Sequence, residues 1–263
     1  MTMIIKRPIQ LFALVLLSAT GVVSLHAQIQ TNTPPPPEKP KPVWKSSAAV
    51  GLTMTSGNGE STLATLTAGT SRKTDQDEWL LGADGAYGTS KAPGQTNTTT
   101  TANSVHGFTQ FNELFSGRLY GYGRVEARHD ELADLIYRVS LGAGAGYYFI
   151  KNTNADLCGE VGPGYVFQKL GDTATDYTSL RVGEKFHQAL SDRARLWQAV
   201  ELTPQVNQFN NYVANAELGI EADITKDKSL SLRTFVTDTF VNEPAPGRKK
   251  NDMTWVTAIA YKF

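Results

Sequence analysis

Residues 135–149 read LIYRVSLGAGAGYYF. Taken alternately, the stretch separates into two faces. One carries Leu135, Tyr137, Val139, Leu141, Ala143, Ala145, Tyr147 and Phe149, while from residue 138 onward the other carries Arg138, Ser140, Gly142, Gly144, Gly146 and Tyr148. A period of two marks a strand, because successive side chains point to opposite sides of the pleat. The apolar face places its rings toward the ends and its small or aliphatic residues in the middle. The other face joins a cation to hydroxyls and glycines, so the two sides of this strand meet different surroundings.

The same period recurs on both sides of this stretch. Apolar sets at alternate positions are Trp44, Ala48, Val50, Leu52 and Met54; Trp79, Leu81, Ala83 and Tyr87; Phe115, Leu119, Val125 and Ala127; Ala155, Leu157, Val161, Tyr165 and Phe167; and Tyr212, Ala214, Ala216, Leu218, Ile220, Ala222 and Ile224. The intervening positions hold Arg118, Tyr120, Tyr122, Arg124, Glu126 and Arg128, then Asp156, Glu160 and Gly164, then Asn215, Glu217, Glu221 and Asp223. A one-residue slip in any of these strands would put its charges on the apolar side. Three features fit less well: Pro163 and Pro204 fall inside expected strands, Glu184 is in phase with Leu180, Val182 and Phe186, and residues 194–206 show no clear apolar face.

The breaks alternate in style. Short turns are expected at 73–77, 111–114, 151–154, 190–193 and 225–228, and longer loops at 55–60, 91–97, 129–134, 169–176, 207–211 and 242–251. The segments between them number about twelve, an even count, as in single-chain bacterial outer-membrane barrels. Soluble sandwiches and barrels also alternate, but their strands cluster near about 5–6 residues. Here the segments run about 11–14 residues, enough at a tilt near 40° to rise roughly 25–30 Å. Rings at the ends of the apolar faces fit the two interfacial girdles of a membrane protein. The expected fold is all-β: a transmembrane antiparallel up-and-down barrel of about twelve strands over residues 43–263. Closure is required because an unpaired edge has no hydrogen-bonding partner in lipid.

The final residues, MTWVTAIAYKF (253–263), again alternate, with Met253, Trp255, Ile259, Tyr261 and Phe263 on one face. The last strand is expected to pair with the first and complete the ring. Tyr261 and Phe263 resemble the C-terminal aromatic-x-Phe signal of bacterial outer-membrane barrels, and this resemblance implies recognition by the barrel assembly machinery. From about Trp44 the chain also resembles the YdiY-like family, called salt-induced outer-membrane proteins, whose function is unknown. The stretches that carry this are VGLTMTSGNGES (50–61), LGAGAGYYF (141–149), SLRVGEKFHQALSD (179–192) and AIAYKF (258–263). None is a catalytic signature, so the resemblance implies location and fold, with outer-membrane lipid and lipopolysaccharide as surroundings, and names no reaction.

The N-terminus agrees with that address. Lys6 and Arg7 precede the apolar stretch LFALVLLSATGVVS, and Leu25-His26-Ala27 precede Gln28, the order of a secretory signal peptide over residues 1–27, with a membrane anchor as the alternative. Residues 28–42 include TNTPPPPEKPKP and read as an extended proline-rich linker. A proline-binding partner is the alternative to a plain spacer.

Formal net charge is zero over 263 residues, which offers no electrostatic case for nucleic acid. Cys158 is the single cysteine, so neither an intrachain disulfide nor a cysteine metal cluster is available. No cofactor or hydrolase motif occurs. The grouping His129-Asp130-Glu131 reads better as a solvated loop than as a catalytic site, since neighbours on a strand face opposite ways. The inward phase mixes signs: Arg118, Arg124, Glu126, Arg138, Glu160, Glu217 and Glu221 are expected to form a charge network filling the lumen. Rings of one sign would instead suggest a selective channel. The expected protein is a Gram-negative outer-membrane barrel of structural or envelope-stress type with a narrow or filled lumen. A passive small-solute channel and a barrel enzyme acting on lipid or peptide at the outer rim are the alternatives.

Overall fold

The computed structural model describes residues 42–56, 60–92, 95 and 97–263. The expected signal peptide, and the linker apart from Pro42, lie outside the described residues. The strands are β1 (Lys45–Thr55), β2 (Glu60–Lys73), β3 (Asp77–Lys91), β4 (Thr99–Leu114), β5 (Leu119–Asp130), β6 (Leu135–Lys151), β7 (Ala155–Leu170), β8 (Thr173–Ala189), β9 (Ala194–Gln205), β10 (Gln208–Asp223), β11 (Leu230–Val241) and β12 (Asn251–Lys262). Each pairs antiparallel with its sequence neighbours, and β1 pairs with β12, so these twelve strands close into an up-and-down barrel. One rim carries the start of β1, the end of β12 and the turns after β2, β4, β6, β8 and β10; the other, the loop rim, carries the remaining connections.

The distribution of side chains is inverted relative to a water-soluble protein. On the outer phase Val161 is 51% exposed, Leu218 55% and Trp255 73%; on the inner phase Tyr120 and Gln110 are 1% exposed and Glu160 4%. An apolar exterior around a polar interior is stable when the outer solvent is lipid. The outer aromatics sit near the two rims. Tyr147 packs on Phe149 and Tyr261 on Phe263 at the terminal rim, with ring centroids 5.3 and 5.9 Å apart; Tyr165 packs on Phe167 at the loop rim at 4.9 Å. Strands of 17 residues, β6 and β8, rise roughly 40 Å at that tilt, more than the ~30 Å hydrocarbon thickness.

Inside, large residues lie over glycines. A Cβ on Gly146 would come 2.2 Å from the Tyr120 ring, and one on Gly219 would come 2.1 Å from the Trp197 indole. Where β6 meets β7, the registered pairs lapse between Gly142↔Gly164 and Ala145↔Val161 without a change of register. Pro163 falls in that gap, and its missing N–H accounts for the lost ladder bond. Pro204 instead lies one residue from the end of β9, beside the register shift between Gln208 and Tyr212.

Several turns differ from expectation. The expected loops at 169–176 and 207–211 are tight two-residue connections, Gly171-Asp172 and Val206-Asn207. Gly171, at φ +56°, permits the first of them, and the threonines that follow extend β8. The turn expected at 111–114 lies at 115–118, because Asn112 is a buried interior residue of β4 and Phe111 packs on Trp79. Glu184 keeps the outward phase with no slip of register, and the Gln198 amide donates to its Oε2 at 3.4 Å. The outer phase of β9 is Leu196, Gln198, Val200, Leu202 and Pro204, blurred in sequence by that polar pair.

Candidate functional site

The interior phase of the strands brings the charged residues together in connected groups. Glu160 on β7 is the centre of the first. Its Oε1 accepts from the Gln110 amide at 2.7 Å and the Tyr120 hydroxyl at 2.9 Å. Its Oε2 lies 2.8 Å from Arg181 and 3.3 Å from Lys185. Arg181 continues to Glu201 at 2.7 Å. In the other direction Gln110 donates to Asn112 at 2.9 Å, and Asn112 donates to Glu78 at 3.1 Å. Glu78 also accepts from the Tyr148 hydroxyl at 2.7 Å, with Lys73 and Lys151 at 3.9 and 4.0 Å. This network links β3 to β6 and β4 to β7 across the interior, three strands apart in each case.

A second group surrounds Glu221 on β10. Arg195 lies 2.5 Å from it, Arg233 2.7 Å and Lys262 2.8 Å, and Ser231 donates its hydroxyl at 2.8 Å. Lys262 also pairs with Asp223, which ties the last strand to β10 across β11. Nearby, the Trp197 indole N–H donates to Glu217, and the Arg233 guanidinium sits 5.7 Å over the Trp197 ring.

Nearer the loop rim, Arg124 pairs with Glu126 at 2.7 Å and reaches Gln110 at 3.3 Å, which joins it to the first group. His106 Nδ1 contacts Asp84 at 2.7 Å, while its Nε2 lies 3.2 Å from Glu126 outside hydrogen-bond geometry. Arg128 on β5 donates to Thr239 on β11 at 3.3 Å and to Asn215 on β10 at 3.5 Å. β5 and β11 are six steps apart around the ring in either direction, so one side chain spans diametrically opposed walls. Arg138 donates to Gln168 at 2.9 Å.

Arg124, Glu126 and Glu160 therefore lie in one connected set, Glu217 and Glu221 occupy the β10 wall, and Arg138 stands on β6 with a neutral partner. Arg118 differs from expectation: it lies exposed in the turn before β5, and Tyr120 takes the first interior position of that strand. Tyr261 and Phe263 point outward, 52% and 71% exposed, with the Phe263 N–H donating to the Ser46 carbonyl at 3.0 Å. Glu78, Gln110 and Asn112 were not singled out from sequence, and Tyr148 was placed on the polar face without a partner. The signal was present in phase, since Glu78 adjoins the outward Trp79 and Gln110 shares the parity of His106.

The chemistry of this interior is that of cross-bracing. Both oxygens of Glu160 and of Glu221 are already engaged by donors, leaving neither carboxylate free to act as a general base. The members of His129-Asp130-Glu131 bond apart: His129 Nδ1 donates to the Ile136 carbonyl at 2.9 Å, Asp130 accepts from the backbone of Leu132 and Ala133, and Glu131 accepts from Asn103.

Among solved structures, the chain is similar to the NanC porin, with 8% identity, 84% of this chain and 100% of that chain covered, and a TM-score of 0.48. An outer-membrane channel from Pseudomonas putida F1 is similar at 10% identity, with 89% and 100% covered and a TM-score of 0.48. The translocator domain of the autotransporter NalP from Neisseria meningitidis is similar at 15% identity, with 84% and 88% covered and a TM-score of 0.45. No curated protein matches the chain. The DUF481 sequence model matches residues 48–263, from within β1 through the last residue after β12, and the chain belongs to that family of proteins of unknown function.

Proposed function

We propose that the chain is an outer-membrane β-barrel of structural or envelope-stress type, with a lumen closed by its own side chains and no turnover. The observation that carries this is Arg128, which reaches from β5 to the opposed β11 and so bridges the full interior. The Glu78–Gln110–Glu160 network adds a second obstruction closer to the terminal rim. A passive pore needs a continuous wet path, and rings of like charge are the usual mark of selectivity; here both signs are interleaved, with cations gathered on Glu160 and Glu221.

In this reading the outer face meets outer-membrane lipid and lipopolysaccharide, and the strand ending in Tyr261 and Phe263 engages the barrel assembly machinery. Planar-bilayer recording tests the closed lumen. Protein shown to be folded by its heat-sensitive gel mobility, and shown to be inserted, is expected to give a flat current trace. Reproducible unitary steps would replace this reading with that of a small-solute channel. Hydrolysis of lipid or peptide that disappears in His129→Ala would support the enzyme alternative.

A further inference from the structure

Among the described residues, two arginines that start from opposite positions in the strand register lack an acidic hydrogen-bond or ion-pair partner. Arg128 on β5 and Arg138 on β6 are direct partners in the strand register, and both line a cavity near the loop rim. Like charges directly opposite in an antiparallel pair oppose its formation. The same cavity is lined by Arg124, Glu126, Arg181 and Glu201. Four arginines against two glutamates leave an excess of two positive charges. Arg124 is matched by Glu126 and Arg181 by Glu201, so the excess resides in Arg128 and Arg138. Among the described residues these two have only neutral hydrogen-bond partners: Asn215 and Thr239 for Arg128, and Gln168 for Arg138. The terminal nitrogens of Arg138 make no hydrogen bond among those residues.

We propose that this cavity binds a small oxyanion, of the phosphate or carboxylate class, clamped between the guanidinium groups of Arg128 and Arg138. Guanidinium groups present paired N–H donors that match the spacing of oxyanion oxygens. The free volume is about 50 Å³. One water needs roughly 10–15 Å³ on that measure, so the space suits about three to five water-sized groups and a tetrahedral oxyanion fits it. The anion supplies the charge that the register leaves unbalanced, and it stabilises the loop-rim half of β5 and β6. The site stands whether or not the lumen conducts, since it needs only the interior placement of the two arginines.

The test uses the folded barrel in detergent micelles and inorganic phosphate as probe, with sodium chloride at matched ionic strength as control. Phosphorus NMR is expected to show saturable broadening at millimolar phosphate, and the thermal midpoint is expected to rise above that in chloride. Arg138→Gln should weaken phosphate binding at least about tenfold while removing the repulsion with Arg128, so its midpoint in chloride should not fall. Arg138→Lys, which keeps the charge and loses the paired donors, should weaken binding by an intermediate factor. If Arg138→Gln does not fold, the Lys variant and the wild-type titration still decide. Absence of saturable broadening in the wild type, a midpoint that follows ionic strength alone, or unchanged binding in the variants overturns the site. Conductance is recorded on the same preparations, so an open lumen and an absent anion site are distinguishable results.

Discussion

Glu160 shows what a charge inside this barrel costs and contributes. It is 4% exposed, two neutral donors and two cations converge on it, and Arg181 divides itself between Glu160 and Glu201. Removing one member of a buried pair leaves the others uncompensated, at about 3–5 kcal/mol. Glu160→Ala is therefore expected to lower unfolding stability by that amount, read from urea titration of tryptophan fluorescence in detergent. Arg118→Ala, in an exposed turn, should stay within about 0.5 kcal/mol. Equal effects of the two substitutions would contradict the placement of Arg118 outside the network. Space is as demanding as charge. Gly146→Ala puts a methyl 2.2 Å from the Tyr120 ring and is expected to destabilise by roughly 1–3 kcal/mol. In a Tyr120→Leu background the same change should cost much less, and an unchanged cost would mean the crowding lies elsewhere.

Among the elements, the seam between β1 and β12 is the shortest zipper. Its register runs only from Ser47↔Lys262 to Val50↔Ile259, whereas β1 meets β2 from Lys45↔Ser71 to Thr55↔Ser61. Lys262 holds β12 from its other side, reaching Glu221 and Asp223 on β10 across β11. Hydrogen exchange followed by mass spectrometry should show β1 and β12 amides exchanging ahead of those in β7 and β8, and Lys262→Met should widen the difference. Uniform protection around the ring would contradict a weak seam. How much of this was legible in sequence depends on what each residue type signals. Strand phase was readable because Leu141, Val161 and Leu218 face lipid and tolerate no slip. Turn positions were less so. Asn112 has the chemistry of a turn former and serves as an interior hydrogen-bonding group, while Gly171-Asp172 needs only two residues where the composition suggested a loop. Cross-lumen partners such as Arg128 and Thr239 were not legible, because alternation states which side a residue faces and not which distant strand it meets.

For the whole molecule, two obstructions in series predict how the lumen responds to mutation. Arg128→Ala removes the bridge between opposed walls and leaves the Glu78–Gln110–Glu160 network in place, so no conductance is expected from it alone. Combining it with Gln110→Ala, which breaks the link between Asn112 and Glu160, should produce unitary current steps. Steps from Arg128→Ala alone would mean that the second layer is not a barrier. All of this depends on the inverted arrangement of the barrel, apolar outside and charged within. That arrangement is tested most directly by nitroxide labels on single cysteines, with Cys158→Ser as background and the protein in lipid vesicles. Labels at Leu141→Cys and Leu218→Cys are predicted to relax with lipid-soluble oxygen and to ignore a water-soluble nickel chelate, while labels at the inward positions Ser140→Cys and Asn215→Cys should be shielded from oxygen. Ready access of the nickel chelate to the labels at positions 141 and 218 would contradict the lipid-facing exterior and the barrel account built on it.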